Sequence, residues 1–205
     1  MSTVCVTDAD LVARARQGDP AAFGELIDRH RVAVYRAALA ALGSHADAED
    51  AAQDAFLAAY RRLDSFRGDA SFKTWLLTIT WHQAINRRRS LIRMFRRMVD
   101  LGGAGDRVES IEHPGVSLIE QVAAIGPSPE QAVADEQLRR EIQQSIRALS
   151  PKLRDALLLA QSGAYSYEEI GAMLEAPTGT IKWRVSEARK AIKKRLRERG
   201  YGDVA

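Results

Sequence analysis

The chain has 205 residues, enough for one large domain or two small ones, and 46% of them are hydrophobic, enough for a real core. Its formal charge is only +3 although the pI is about 9.2, so the surplus of lysine and arginine is local, which suits a protein that meets a polyanion at defined places. The lone Cys5 excludes an internal disulfide or a thiolate zinc site, and no apolar run reads as a signal peptide or a membrane span.

His30, His45, His82 and His113 are scattered without paired ligand spacing. No metal or cofactor is expected, and the setting is expected to be reducing and cytoplasmic. Apolar residues recur at helical rather than alternating intervals, so the expected fold is all-α.

Asp8 to Arg16 reads as a short helix ending at Gly18, and Asp19-Pro20 opens the next with proline in the first turn. Phe23, Leu26, Ile27, Val34 and Leu42 carry that helix through about Ala41, where Gly43-Ser44 breaks it. Ala48 to Leu63 is a third helix, with Ala48, Ala51, Ala52, Ala55, Phe56, Ala59, Tyr60 and Leu63 on one face. The alanines allow close packing, and Asp47, Glu49 and Asp50 suit the positive end of the helix dipole. Asp50, Gln53, Asp54 and Leu57 occupy the opposite face. An acidic patch with a leucine on it reads either as a docking surface or as a solvated face.

Phe66-Arg67-Gly68-Asp69-Ala70-Ser71-Phe72 is a loop in which Gly68 permits a tight backbone and Ser71 can cap a fourth helix. That helix runs from Phe72 to about Arg89 and beyond, with Phe72, Trp75, Leu76 and Ile79 as its buried stripe. Near its end come Trp81, His82, Gln83, Asn86, Arg87, Arg88 and Arg89. Rings, amides and guanidinium groups together suit stacking on unpaired bases and contact with phosphates. The other reading puts Trp81 in the core and the arginines in solvent.

Arg93, Arg96 and Arg97 extend the basic run, and then the composition changes. Asp100 to Pro127 is rich in glycine and proline and carries Asp106, Glu109, Glu112 and Glu120, a flexible linker with a short helical piece at Val116 to Ala124. The expected division is a first helical domain at 8–97, a linker at 98–127 and a second domain at 128–199.

Ser128-Pro129-Glu130-Gln131 has the chemistry of a helix start, and Leu138, Ile142, Ile146 and Leu149 mark its buried face. Ser150-Pro151 starts another helix, with Leu153, Leu157 and Leu158 apolar, ending at Gly163. Ser166 and Glu169 form a capping box for a short helix whose apolar residues are Ile170, Met173 and Leu174. Glu175-Ala176-Pro177 is a tight turn, and Thr178 is expected to cap the last helix. There Ile181, Val185, Ala188 and Ile192 face inward, opposite Lys182, Trp183, Ser186, Glu187, Arg189, Lys190 and Lys193. Two helices, a tight turn and a basic outer face make a helix-turn-helix, a unit that sets its second helix in a DNA major groove. Tyr201 to Ala205 is expected to fray.

Several of these segments match one pattern in order and spacing. Asp47-Ala48-Glu49-Asp50-Ala51-Ala52-Gln53-Asp54-Ala55-Phe56-Leu57 resembles the region 2 helix that docks on the clamp helices of RNA polymerase in the sigma-70 family. Leu63 to Asp69, followed by Phe72 and Thr74-Trp75-Leu76, is similar to that family's loop and the start of its promoter-melting helix. Ser150-Pro151 to Leu159, Ser166 to Gly171, Gly179-Thr180-Ile181-Lys182 and Ala188-Arg189-Lys190 are similar to region 4. The chain therefore resembles an extracytoplasmic function (ECF) sigma factor of the sigma-E-like type.

The resemblance implies roles that the spacing alone does not give. Asp50, Gln53, Asp54 and Leu57 would bind the polymerase clamp. Phe66, Arg67, Gly68, Asp69 and Phe72 would capture a flipped base of the −10 element, and Trp81, His82, Asn86, Arg87 and Arg88 would hold the opened strand. Thr180, Lys182, Trp183, Arg184, Ser186, Glu187, Arg189, Lys190 and Lys193 would read the −35 element. Core RNA polymerase, promoter DNA and an anti-sigma factor are the implied partners, and no catalysis is implied. Trp183, Ser186 and Glu187 depart from what relatives often carry, so the −35 sequence cannot be copied from them. Two alternatives stand beside this reading: a helix-turn-helix regulator that binds duplex DNA as a dimer, and a nuclease using Asp47, Glu49, Asp50 and Asp54 around a metal.

Overall fold

The computed structural model describes residues 6–100 and 129–201, and among them every regular element is helical. Helix α1 (Asp8–Arg16) starts on a capping box, with Thr7 Oγ1 accepting from the Asp10 N–H at 3.2 Å and Asp10 Oδ2 from the Thr7 N–H at 3.0 Å. Helix α2 (Pro20–Leu42) has Asp19 as its cap and ends at Gly43, whose φ of 71° is left-handed and favours glycine. Helix α3 (His45–Arg61) begins earlier than its apolar stripe suggests because Ser44 caps it, accepting from the Asp47 N–H at 3.4 Å. A 3₁₀ turn (Leu63–Ser65) then takes Leu63, the residue expected to end α3. Ser71 Oγ accepts from the Thr74 N–H at 3.1 Å and so caps the long helix α4 (Phe72–Asp100).

These four helices pack around Leu11, Leu26, Val34 and Leu76, all fully buried. The alanine-rich end of α2, Ala37 to Ala41, lies against Ala48 and Ala51 of α3, and all are essentially without exposure. Small side chains let the two backbones approach closely.

Helices α5 (Pro129–Arg147), α6 (Pro151–Gln161), α7 (Tyr167–Met173) and α8 (Thr178–Glu198) form the second unit. Its core holds Leu157, Leu159, Ile170, Met173, Ile181 and Val185. The capping box expected at α7 is present, with Ser166 Oγ accepting from the Glu169 N–H at 3.2 Å. The α7–α8 turn is tight. Glu175 has φ 50°, the Ala176 N–H donates to Gly171 O at 2.9 Å, and a Cβ at Gly171 would lie 2.7 Å from Ala176 O. Thr178 is not the cap expected of it: Pro177 holds that position without a side-chain bond, and Thr178 is the first helical residue.

The linker core, the piece at Val116 to Ala124, the Ser128 cap and residues 202–205 lie outside the described residues. The two units are in contact. One apolar cluster runs from Leu39, Leu77 and Trp81 into Leu157, Ile170 and Met173. Tyr165 Oη donates to Ala33 O across the boundary at 2.6 Å.

Candidate protein and nucleic-acid interfaces

On α3 the buried alanine face leaves Asp50, Gln53, Asp54 and Leu57 in solvent, and Leu57 is 55% exposed. Carboxylates this close repel one another, and Arg87 of α4 offsets the repulsion. Its guanidinium lies 2.8 Å from Asp50 Oδ2, 3.3 Å from Asp47 Oδ1 and 3.8 Å from Asp54 Oδ2. Arg87, expected beside an opened strand, thus lies against the acidic face of α3.

The loop before α4 is held from an unexpected direction. Arg16 of α1 donates to Leu63 O at 3.1 and 2.9 Å and also to Phe66 O, and its guanidinium stands 6.0 Å from the Phe66 ring centre. Gly68 turns the chain with φ 82°. The result is a cavity of about 230 Å³ walled by Phe66, Arg67, Gly68, Asp69, Thr74, Trp75 and Thr78, together with Ala172 of α7. Phe72 does not line it. It is 4% exposed and packs with Phe66 and Trp75 at ring distances of 5.8 Å each, so it supports the rings of the loop. Helical spacing puts Trp75 only in a buried stripe, yet it lines the cavity beside Phe66, 5.3 Å away.

Further along α4, His82 and Asn86 are exposed, but Trp81 is 3% and Arg88 7% exposed. Of the two readings of this stretch, the burial of Trp81 follows the core one, and Arg88 is buried with it rather than solvated. Arg88 donates to Ala41 O at 3.3 Å and to Asp155 Oδ1 at 3.4 Å. Burial pushes the Asp155 carboxyl above its ordinary range, against the pull of Arg88 and Arg154.

On α8, Ile181, Val185 and Ala188 are buried, which turns Lys182, Trp183, Ser186, Arg189, Lys190 and Lys193 outward, while Thr180, Arg184 and Glu187 are half-buried. Trp183 is 61% exposed, an unusual position for a large ring with no protein neighbour to bury it. A shallow groove beside it is lined by Lys182, Ser186, Arg189, Lys190, Lys193 and Tyr167. Tyr167, the first residue of α7, was not among the expected contacts, and only the groove reveals it. Glu187 stands 4.0 Å from Lys190. The arrangement offers amines and guanidinium groups to phosphates, and a ring and a carboxylate to base edges. Among the described residues no helix is long and apolar enough to cross a membrane.

Two family models match the chain: "Sigma-70 region 2" matches residues 26–94 and "Sigma-70, region 4" matches 139–192. The chain is 33% identical over 187 residues to the ECF RNA polymerase sigma factor SigW of Bacillus subtilis, covering 91% of this chain and 95% of that protein. It is 36% identical over 189 residues to the ECF RNA polymerase sigma-E factor of Escherichia coli K12, covering 91% and 93%. Its fold is similar to CnrH solved in complex with the cytosolic domain of CnrY, with TM-score 0.60 and 22% identity over 93% of this chain and 97% of the other. It is also similar to the sigma factor RpoE solved with the anti-sigma factor NepR from Bartonella quintana, with TM-score 0.52 and 24% identity over 85% and 96%. With both regions matched in order and relatives aligned along nearly their whole length, the chain belongs to the sigma-70 family, in its ECF group.

Proposed function

We propose that this chain brings core RNA polymerase to promoters with −35 and −10 elements and helps to open the DNA, without catalysing a reaction of its own. The observation that carries this reading is the placement of three unlike surfaces on one chain. An acidic face with an exposed Leu57 lies on α3, a cavity of base-sized volume comes after the 3₁₀ turn, and a basic helix with an outward ring ends the chain. Asp50, Gln53, Asp54 and Leu57 meet the polymerase. Phe66, Arg67, Gly68, Asp69 and Trp75 receive a flipped base, with His82 and Asn86 beside the strand. Lys182, Trp183, Arg184, Ser186, Glu187, Arg189, Lys190 and Lys193 meet the −35 duplex with Thr180.

Magnitudes say why polymerase is needed. Opening duplex DNA costs about 1.4 kcal/mol of stacking per step. Holding one extruded base on an aromatic surface returns roughly 1–3 kcal/mol. One captured base therefore does not offset several opened steps. The work is cytoplasmic, where polymerase is. A regulator of anti-sigma type is the expected partner, because the RpoE neighbour was solved with one.

The test is run-off transcription with the full chain and bacterial core polymerase on a library of promoter fragments. Transcripts that start downstream of a shared −35/−10 pair and require the chain are the expected result. Duplex binding by a dimer, with no effect on initiation by core polymerase, would replace this reading with that of an ordinary regulator.

A further inference from the structure

Helix α8 distributes its charge unevenly. The groove beside Trp183 gathers Lys182, Arg189, Lys190 and Lys193, with Ser186 and with Tyr167 of α7. Glu187 does not line that groove. It is the one carboxylate of α8 before Glu198 ends the helix, and lysines and arginines flank it on both sides in sequence. Its side chain is 43% exposed, and Oε2 stands 4.0 Å from Lys190 Nζ. A pair that long between exposed groups holds the carboxylate weakly. Trp183 lies one helical turn before Glu187, on the same side of the helix and turned outward. The cations thus converge on one strip, and a ring and a carboxylate stand beside it.

These placements separate two kinds of contact. A cationic groove suits phosphates, which carry no sequence information. A carboxylate is repelled by phosphates, so on a helix in the major groove it is favourable only against a base edge that donates. Guanine shows N7 and O6 there and thymine shows O4, all of them acceptors. Adenine N6 donates, but it lies beside N7, which repels the second carboxylate oxygen. Cytosine N4–H₂ donates with no acceptor on its own edge. The indole of Trp183 has no acceptor to offer an amino group and cannot take this part.

We propose that Glu187 is a specificity-determining residue: its carboxylate accepts from the N4 amino group of one cytosine in the −35 element, while the groove cations hold the backbone. This deepens the initiation reading above and rests on its placing of α8 at the −35 duplex. The choice of base follows from the direction of the hydrogen bond. An acceptor with a full negative charge selects the one base edge that presents a donor and no acceptor beside it.

The test assembles the full chain with core polymerase and measures competition binding to promoter fragments carrying every single base change in the −35 element. The wild-type complex should favour cytosine at one position by roughly tenfold, within what one mismatched base pair costs. Glu187→Ala should flatten that position to less than about threefold, below the usual mismatch cost, and leave the other preferences in place. Glu187→Gln should shift the same position towards adenine, whose N6 and N7 suit a carboxamide. Lys193→Ala should instead weaken all fragments alike and reduce the salt slope by about 0.9, the mark of a phosphate contact. If Glu187→Ala keeps every preference, or tightens all fragments equally, the carboxylate is a solvated charge beside Lys190 and the proposal falls. Loss of all preferences together in both Glu187 variants marks a structural role and overturns it as well. Run-off transcription by the wild-type complex is the control. A complex that starts no transcripts sinks the initiation reading, whereas one that starts them and keeps its cytosine preference in Glu187→Ala sinks this assignment alone.

Discussion

Arg16 shows what a single side chain does far from its own helix. It holds the carbonyls of Leu63 and Phe66, 47 and 50 residues away, and so fixes the loop that walls the cavity proposed for a flipped base. Arg16→Ala should lower open-complex formation severalfold while leaving affinity for core polymerase unchanged, as measured by permanganate reactivity and co-elution. No sequence pattern announces this, because the partners are backbone carbonyls and leave no residue signature. Trp183 is the opposite case. Its outward position follows from helical spacing, and at 61% exposure Trp183→Ala should move the unfolding free energy by no more than about 0.5 kcal/mol. Where the ring meets a base edge, the variant loses at most the roughly 1–3 kcal/mol that one mismatched base pair costs, and a binding series over all single base changes reads it. Unchanged preference at every position would remove Trp183 from the reading face.

At the scale of elements, caps and turns decide where helices begin and how they meet. Asp19 is held below its ordinary range by its bond to Arg14 and then by the Ala22 N–H, and Asp10 by the Thr7 hydroxyl and then the Thr7 N–H. A lowered folded pKa contributes stability that is fully present above the unfolded value, 3.8, and is lost as the pH falls through the folded value beneath it. Asp19→Ala should therefore destabilise the chain at neutral pH, with a deficit that shrinks below pH 3.8 in urea titrations. The helix-turn-helix depends on Gly171 for space rather than for φ. A methyl there meets the Ala176 carbonyl at 2.7 Å, so Gly171→Ala should cost on the order of 1–3 kcal/mol and weaken −35 binding by tilting α7 against α8. A normal melting temperature and normal binding would contradict this. Helices α1 to α8 are legible from period and caps, because Asp19-Pro20, Gly43, Pro129, Ser150-Pro151 and the Ser166–Glu169 box are local signals. Thr178 misleads as a cap because Pro177 already sets the extended residue before the helix.

For the whole molecule, the sequence announces two units but not their embrace. Trp81 carries the same residue type whether it faces DNA or protein, and only the packing of α7 over α4 decides between them. A tryptophan buries about 150–250 Å². At about 25 cal/mol per Å², uncovering all of it costs roughly 4–6 kcal/mol, more than the roughly 1–3 kcal/mol that one stacked base returns. The free chain should hence stay closed on single-stranded DNA, and polymerase must supply the difference. The most direct measurement of this division of labour is permanganate footprinting of a promoter with the full chain alone, with core polymerase alone and with both. The account predicts reactive −10 thymines only when both are present, and protection of the −35 duplex in the same complex. Reactive thymines with the chain alone, or a −35 footprint with both present but no opening, would contradict it.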